Sequence, residues 1–264
     1  MNYKVRTSWQ VTWSVWHAMF MREILARATG NRMAWFWMLF EPIAVIGLMV
    51  SIRTLVLGRE QVVLNAEFIP WLIIGLMGFF LFRDNMMRLM GAVDANRGLF
   101  AYRQVKPIDS VIVRSLVEGS VRSFVFLLFI AAGMLLGMEM NPDTPLLAIW
   151  AWFSLWMFGF GIGLTLSAVN KLVPELGNIA RLLSLPLLLV SGVIIPFSVV
   201  PYNLREYFLW NPIPHGLETL REGFFSSYPV ADGVDLLYLW YWILVTLVLG
   251  LILHLRYEMR LKAK

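Results

Sequence analysis

The sequence contains no cysteine and few charged residues. Without cysteine, the 264-residue chain can form neither disulfides nor thiolate metal sites, and thiolate catalysis is excluded. Only 15% of the residues are charged, whereas about 25% is usual in soluble proteins, and 59% are hydrophobic. This composition predicts a polytopic membrane protein. Spans of about 20 residues each leave no segment long enough for a separate soluble catalytic domain.

Nucleotide-binding and catalytic motifs are also missing from the sequence. There is no G-x-x-x-x-G-K-[ST], so the chain cannot itself bind ATP in a phosphate-cradling loop. The three histidines, His17, His215 and His254, lie in three different segments. His215 has carboxylates at helical spacing, Glu218 and Glu222, which is a weak metal-ligand pattern that helix solvation or packing explains better. We therefore expect no catalytic residue, no metal site and no cofactor in this chain.

The basic charge of the chain has a membrane explanation. The net charge of +5 comes from residues that flank the apolar runs, which favours a bias toward a membrane surface over nucleic-acid binding. The N-terminus lacks a short apolar stretch followed by a cleavage site, so we expect no removable signal peptide.

We predict an all-α membrane protein that forms a single transmembrane permease domain over residues 1–264. The six spans are expected at about 34–57, 68–89, 112–138, 146–169, 179–196 and 236–255. Helix 8–30 places Trp9, Trp13 and Trp16 on one face, which suits an amphipathic interface helix in the headgroup region; an ordinary helix packed on the spans is the alternative. The proline-punctuated segment 197–235 is predicted to form short re-entrant helices between spans five and six.

Glycine patterns in two of these spans predict close helix packing. Gly133 and Gly137 form a G-x-x-x-G, and residues 159–163 contain G-x-G-x-G. The second pattern lies outside any strand-turn-helix context, so we do not interpret it as a nucleotide-binding fingerprint. The fifth span is expected to be kinked or broken at Pro186.

The distribution of Lys and Arg predicts the orientation. These residues are frequent in 4–32, 83–106 and 256–264 and rare in the remaining loops. Because positive residues mark the cytoplasmic side, we expect both termini and segment 91–110 to be cytoplasmic. The charges lie near span ends and no internal repeat is visible, which argues against an ion-coupled carrier and favours a partner that hydrolyses ATP.

Segment 91–110 is the strongest candidate for a partner-binding site. It is a polar stretch between two apolar regions, and aromatic and Arg residues are enriched where a surface binds a partner. The candidate partner-binding residues are Asp94, Asn96, Arg97, Leu99, Phe100, Tyr102, Arg103 and Lys106. An inert basic loop near anionic lipid is the alternative. On the following helix, Arg114, Glu118 and Arg122 share one face and can pair with each other.

Four blocks of the sequence, in this order, resemble the capsule-polysaccharide export permeases, the KpsM family of type-2 ABC-transporter permeases. The family's interface helix and first span resemble MREILARATGNRMAWFWMLFEP, and its coupling segment resembles GAVDANRGLFAYRQVKPID. Its fifth span resembles VPELGNIARLLSLPLLLVSGVIIPFSVVP, and its re-entrant segment resembles LWNPIPHGLETLREGFF. Gln104 stands where the family often carries Pro, which leaves the local turn geometry open.

The resemblance implies partners and a substrate. It implies a homodimer of this chain with two copies of a KpsT-like ATPase subunit, which would bind the ATP and Mg. It implies export of a lipid-linked acidic capsular polysaccharide across the bacterial inner membrane, with periplasmic and outer-membrane export proteins beyond it. Alternatives are export of another lipid-linked glycan, such as O-antigen or teichoic acid, a membrane-embedded glycan transferase, and a channel without ATP coupling. A transferase would need a converging acid and base, which the sequence does not suggest.

A substrate path can be predicted from residue types. Aromatic faces suit sugar CH surfaces, and the candidate lining residues are Trp35, Trp37, Trp71, Phe79, Phe80, Trp150, Trp152 and Trp156. Arg27, Arg32 and Arg83 are candidates for a lipid phosphate, because the guanidinium fork suits phosphate. Interfacial anchoring or packing is the alternative role for each aromatic residue, and a topological marker for each arginine.

Overall fold

The computed structural model describes residues 7–30, 32–52, 55, 62–63, 66–197 and 200–263. Side chains are described for these residues except at positions 28, 30, 32, 34, 35, 62, 63, 185, 202 and 203. The first five long helices are α1 (Ser8–Gly30), α2 (Arg32–Ser51), α3 (Phe68–Met90), α5 (Pro107–Leu135) and α6 (Pro145–Leu172). The short α4 (Ala92–Ala95) and a 3-10 helix (Arg97–Ala101) lie between α3 and α5.

The second half of the chain contains α7 (Pro174–Val190), α8 (Tyr202–Leu209), α9 (Ile213–Phe224), α10 (Leu236–Arg256) and α11 (Glu258–Lys262). A short antiparallel pair precedes α3, in which β1 (Val62–Val63) pairs with β2 (Ala66–Glu67). Four helices among the described residues are long and apolar enough to cross a membrane, namely α3, α5, α6 and α10. In α2 the apolar stretch is 36–51, and α7 has 17 residues.

Helix α3 is the central helix of the molecule. Its most apolar window is 83% buried, whereas that of α10 is 17% buried. It packs against α6, α5, α9 and α2, and α10 packs on α6. The outer surface of α10 carries large apolar side chains, which is the expected distribution where lipid replaces water as the solvent.

The glycines of α6 explain its close contacts on both sides. A Cβ built at Gly159 would lie 2.7 Å from the backbone carbonyl oxygen of Phe82 in α3. Gly163 faces Leu89 of α3, and Gly161 faces Thr246 of α10. The packing interpretation of the G-x-G-x-G pattern is confirmed, because each glycine removes a side chain where a neighbouring helix passes.

One local expectation was wrong, and a second was wrong in part. Helix α5 ends at Leu135, and Gly137 has φ +78°, so the second glycine of the G-x-x-x-G forms a turn beyond the helix and not a helix-packing face. Helix α7 continues through Pro186, so the expected break is wrong, while a kink at this proline stays a prediction. Helix α5 also begins at Pro107, where the backbone N–H of Lys106 donates a 2.8 Å hydrogen bond to the Asp109 carboxylate.

Candidate functional site

Segment 91–110 folds into a compact cap at one end of α3 and α5. Asp94 accepts hydrogen bonds from Lys171 of α6 at 3.0 Å and forms an ion pair with Arg97 at 3.2 Å. Asn96 is buried; its amide donates to the Ala92 carbonyl oxygen at 2.9 Å and its side-chain oxygen accepts from Arg22 of α1. Asp94 and Asn96 therefore make contacts within this chain, which fix segment 91–110 against α6 and α1.

The aromatic residues of this segment point in different directions. Phe100 is 9% exposed and packs in a buried cluster with Val93 and Val105. Tyr102 is 63% exposed, and Leu99 is half-buried. Phe100 is therefore not the surface anchor that the sequence predicted, because its ring stabilises the cap from inside. Tyr102 is the aromatic side chain that this segment presents outward.

The exposed surface of the segment is cationic. Arg97, Tyr102, Arg103 and Lys106 are all exposed. We call these four residues the cationic face. An exposed aromatic side chain in the same segment as three exposed cations suits binding to an acidic surface that also offers an apolar pocket.

Helix α1 braces this end of the molecule. The Trp16 indole Nε1 donates a 2.9 Å hydrogen bond to Asp109 at the start of α5. Arg114 of α5 forms an ion pair with Glu23 of α1 at 3.1 Å. Arg114 thus does not pair with Glu118, and the expected ladder of three mutually paired residues on α5 is limited to Glu118 and Arg122, at 3.6 Å.

A buried charge network lies between α1, α2, α3 and α5. We use this name for Arg27, Glu41, Arg83, Asp84, Arg88, Glu118 and Arg122. The side chain of Glu118 is fully buried, and its carboxylate lies 2.8 Å from Arg27 and 3.0 Å from Arg88.

The network continues toward α2. Arg122 forms an ion pair with Asp84, and Arg83 lies 2.9 Å from Asp84 and 2.8 Å from Glu41. Four guanidinium groups thus face three carboxylates, which leaves a net positive charge.

The position of the network corrects two expectations from the sequence. Arg122 lies fifteen residues after Pro107, which corresponds to about 22 Å along the helix, so these charges are not confined to span ends. The carboxylates of Glu41, Asp84 and Glu118 do converge, but each is paired with at least one guanidinium. They do not form the free acid–base pair that a transferase would need.

A cleft of about 320 Å³ opens onto this network. Its lining consists of Trp37, Met38, Glu41, Arg83, Asp84, Met87, Arg88 and Arg122. Arg122 is 4% exposed, and within the described part of the chain its Nη1 has no hydrogen-bond partner. Ionisable side chains inside apolar helices generally have a functional role. The signal available in the sequence was that Arg83 and Arg122 each lie next to an apolar run.

The structure brings some of the predicted path residues together and separates others. Trp37 and Arg83 line the cleft, and Arg27 joins the network through Glu118. Trp71 and Phe79 are fully buried among the helices, so they do not line a path in this conformation. The side chains of Arg32 and Trp35 lie outside the described part of the structure.

The remaining aromatic candidates have packing roles. Trp152 stacks on Phe126 with 4.4 Å between ring centroids and donates to the Ser123 hydroxyl at 2.9 Å. Trp156 donates to the Ser115 carbonyl oxygen at 3.1 Å. Trp150 is half exposed and stacks on Trp240, whereas Phe80 is buried beneath Arg83, whose guanidinium carbon lies 4.5 Å from the ring centroid. The lining prediction therefore fits Trp37 best.

A second buried ion pair holds α9 in the core. Arg221 is fully buried; it lies 2.8 Å from Glu218 and donates to the carbonyl oxygens of Gly192 at 2.9 Å and Val193 at 3.0 Å. Its guanidinium carbon lies 3.7 Å from the Trp71 ring centroid. The pair therefore ties α9 to α3 and to the turn after α7.

Polar groups surround this pair, although the buried Arg221 Nε has no hydrogen-bond partner among the described residues. Tyr228 donates to Glu218 at 3.0 Å, and burial raises the pKa of Tyr228 to about 12. His215 accepts the backbone N–H of Asp235 at Nδ1 and donates from Nε2 to the Leu209 carbonyl oxygen, both at 2.8 Å. His215 and Glu218 thus have structural partners, in agreement with the packing interpretation.

The fold is that of a helical membrane domain, with four helices among the described residues that are long and apolar enough to cross a membrane and a cap of short helices between α3 and α5. The chain belongs to the ABC-2 type transporter family, whose model matches residues 14–225. It is 33% identical to the polysialic acid transport protein KpsM of Escherichia coli, over 94% of this chain and 95% of that protein.

Two further relatives come from other bacteria. The capsule polysaccharide export inner-membrane protein BexB of Haemophilus influenzae is 28% identical, over 80% of this chain and 79% of BexB. The capsule polysaccharide export inner-membrane protein CtrC of Neisseria meningitidis serogroup B is 25% identical, over 88% of this chain and 85% of CtrC. The resemblance drawn from the sequence is confirmed.

Proposed function

We propose that this chain is the permease subunit of an ATP-driven exporter of lipid-linked capsular polysaccharide in the bacterial inner membrane. The observation that carries the proposal is the match to KpsM over 94% of the chain. Its membership of the ABC-2 family and the cap between α3 and α5 support the same function. The chain itself is a transport subunit and not an enzyme, with ATP and Mg bound by the partner.

The proposed topology has six spans. Helix α2, which crosses with its apolar stretch 36–51, and the 17-residue α7 join the four longer spans α3, α5, α6 and α10. The short α8 and α9 form a re-entrant pair, of which α9 is buried by the surrounding helices, whereas α8 exposes Leu204 and Tyr207. Helix α1 lies in the headgroup region with Trp9 and Trp13 exposed. Both termini and the cap face the cytoplasm.

The cationic face is the proposed docking surface for the ATPase subunit. Tyr102 would insert into an apolar pocket of that subunit, and Arg97, Arg103 and Lys106 would contact acidic side chains around it. The cap is tied to α1, α5 and α6 by Arg22, Phe100 and Lys171. Movement of the ATPase subunit would thereby reach several helices at once.

The rest of the assembly follows from the same proposal. The exposed apolar faces of α2 and α7 would meet their copies in a homodimer, which would bind two ATPase subunits. The lipid phosphate of the substrate would lie near Arg27 and Arg83, with Trp37 beside it. Periplasmic and outer-membrane export proteins would receive the polysaccharide.

Co-purification with the ATPase subunit tests the docking surface. We expect Arg97→Glu combined with Tyr102→Ala to weaken binding about tenfold or more, because the variant reverses one charge and removes the aromatic anchor. ATP hydrolysis by the complex should fall with it. Binding constants and hydrolysis rates in lipid nanodiscs provide the measurement.

A matched control separates docking from net charge. Arg256→Glu reverses an exposed cation at the end of α10, outside the cationic face, and should leave binding unchanged. Equal loss in both variants, or full binding by the double variant, would contradict the proposed docking surface.

A further inference from the structure

The carboxylate of Glu41 occupies a position that suits a substrate anion. It lies 2.8 Å from Arg83 at the cleft, and its side chain is 39% exposed, whereas that of Asp84 is 11% exposed. Because the Glu41 side of this pair is open to solvent, another anion can reach Arg83 and replace Glu41 at a lower cost than at a fully buried pair. Asp84 is retained by Arg122 and Arg83 together.

The cleft has room and charge for a further anion. The buried charge network carries a net positive charge, and Arg122 has an unpaired Nη1 among the described residues. A phosphate has more acceptor oxygens than a carboxylate and can therefore accept hydrogen bonds from two guanidinium groups at once, which gives it an advantage over a single carboxylate. Trp37, Met38 and Met87 provide apolar walls, which suit a phosphate carried on an apolar chain.

Helix α2 has a structural weakness next to this ion pair. Pro42 lies in its interior, so the carbonyl oxygen of Met38 lacks the usual hydrogen bond from the residue four positions later. A helix bends most readily at such a point. When Glu41 separates from Arg83, α2 therefore loses this ion pair next to Pro42, where the helix bends most readily.

We propose that Glu41 is an internal substitute for the substrate anion. In the resting state it occupies Arg83; a phosphate group on an apolar chain displaces it, binds Arg83 and Arg122, and frees α2 to bend at Pro42. This regulation rests on the proposed export function and assigns Glu41 as a specificity-determining residue. Export would thus begin only when a charged lipid end has entered the cleft.

Binding of dodecyl phosphate to the full chain in phosphatidylcholine nanodiscs tests the exchange. We expect Glu41→Gln to bind about three- to five-fold tighter than the unaltered chain, the factor that corresponds to losing a half-exposed competing ion pair. Glu23→Gln removes a carboxylate from the Arg114 pair outside the cleft and should leave the affinity unchanged. Inorganic phosphate should bind far more weakly than dodecyl phosphate, since it lacks the chain.

The bending of α2 has its own readout. Because the chain contains no cysteine, Gly47→Cys places a single label on α2 at a position with no atom within 4 Å of a Cβ. An environment-sensitive dye there should respond to dodecyl phosphate in the unaltered background. The dye should already show the altered signal in the Glu41→Gln background.

Several outcomes would overturn the exchange. Equal affinities for Glu41→Gln and the unaltered chain, or the same tightening in Glu23→Gln, would show that Glu41 does not compete for the anion. Equal binding of inorganic phosphate would refute the role of the apolar chain. With any of these results the chain could still bind the ATPase subunit, so the exchange alone would be refuted. Failure to bind the ATPase subunit would instead refute the proposed export function, whatever the affinity for dodecyl phosphate.

Discussion

The carboxylate of Glu118 is surrounded by three guanidinium groups. The four side chains belong to three helices, α1, α3 and α5. Arg27, Arg88 and Arg122 lie 2.8, 3.0 and 3.6 Å from its oxygens. A buried carboxylate so surrounded stabilises the arrangement only while every charge keeps a partner, because an uncompensated charge in a low-dielectric interior is costly. Glu118 therefore fixes the relative positions of α1, α3 and α5.

Neutralising Glu118 should destabilise the protein strongly. Glu118→Gln removes the buried carboxylate that Arg27, Arg88 and Arg122 share, and we expect a loss of about 3–5 kcal/mol in unfolding free energy, the range for breaking a buried pair. Glu258→Gln removes a carboxylate from the more exposed i, i+4 pair with Lys262 and should cost less than about 0.5 kcal/mol. Thermal unfolding of both variants in detergent measures the difference; a similar melting temperature for the two would contradict the role of Glu118.

The sequence predicts part of this network. The i, i+4 spacing places Glu118 and Arg122 on one face of α5, and they do pair. The partners on other helices, Arg27 and Asp84, depend on the rotation and depth of each helix, which local spacing does not encode. For the same reason Phe100 was expected at the surface, although its ring packs inside the cap.

At the scale of the element, α6 is the helix that joins the central α3 to the peripheral α10. Its small residues allow both neighbours to approach, and Gly159 lies against the backbone of α3. Apolar runs indicate the four helices that are long and apolar enough to cross a membrane, α3, α5, α6 and α10. The two glycine patterns have different structural roles, because Gly137 lies past the end of α5 while Gly159 lies within α6.

A methyl group at Gly159 should separate α6 from α3. Gly159→Ala would place its Cβ 2.7 Å from a carbonyl oxygen, and overpacking of this kind costs about 1–3 kcal/mol. Gly47→Ala on α2 meets no atom within 4 Å and should be neutral or slightly stabilising, since alanine favours helix. Unfolding measurements on the two variants compare tight with open helix positions, and equal stabilities would refute the close contact.

At the scale of the whole molecule, charge is divided between two kinds of environment. The cationic face lies exposed on the cap, and the buried charge network lies within the helices behind it. The first suits an ATPase subunit and the second a charged lipid end, so energy and substrate would enter the same end of the molecule. Helix α9 packs against α3, α6 and α10, and Arg221 holds it in the core.

The measurement that tests the central claim most directly is ATP-dependent transport into inverted inner-membrane vesicles. Lipid-linked capsular polysaccharide isolated from the source cells is added to vesicles that contain the chain and its ATPase subunit. A glycosidase then degrades the polysaccharide that has not entered the vesicles. We expect protected polysaccharide to accumulate with ATP, and not with the Arg97→Glu, Tyr102→Ala variant. Protection that needs no ATP, or none despite ATP hydrolysis by the complex, would contradict the assignment as an ATP-driven polysaccharide exporter.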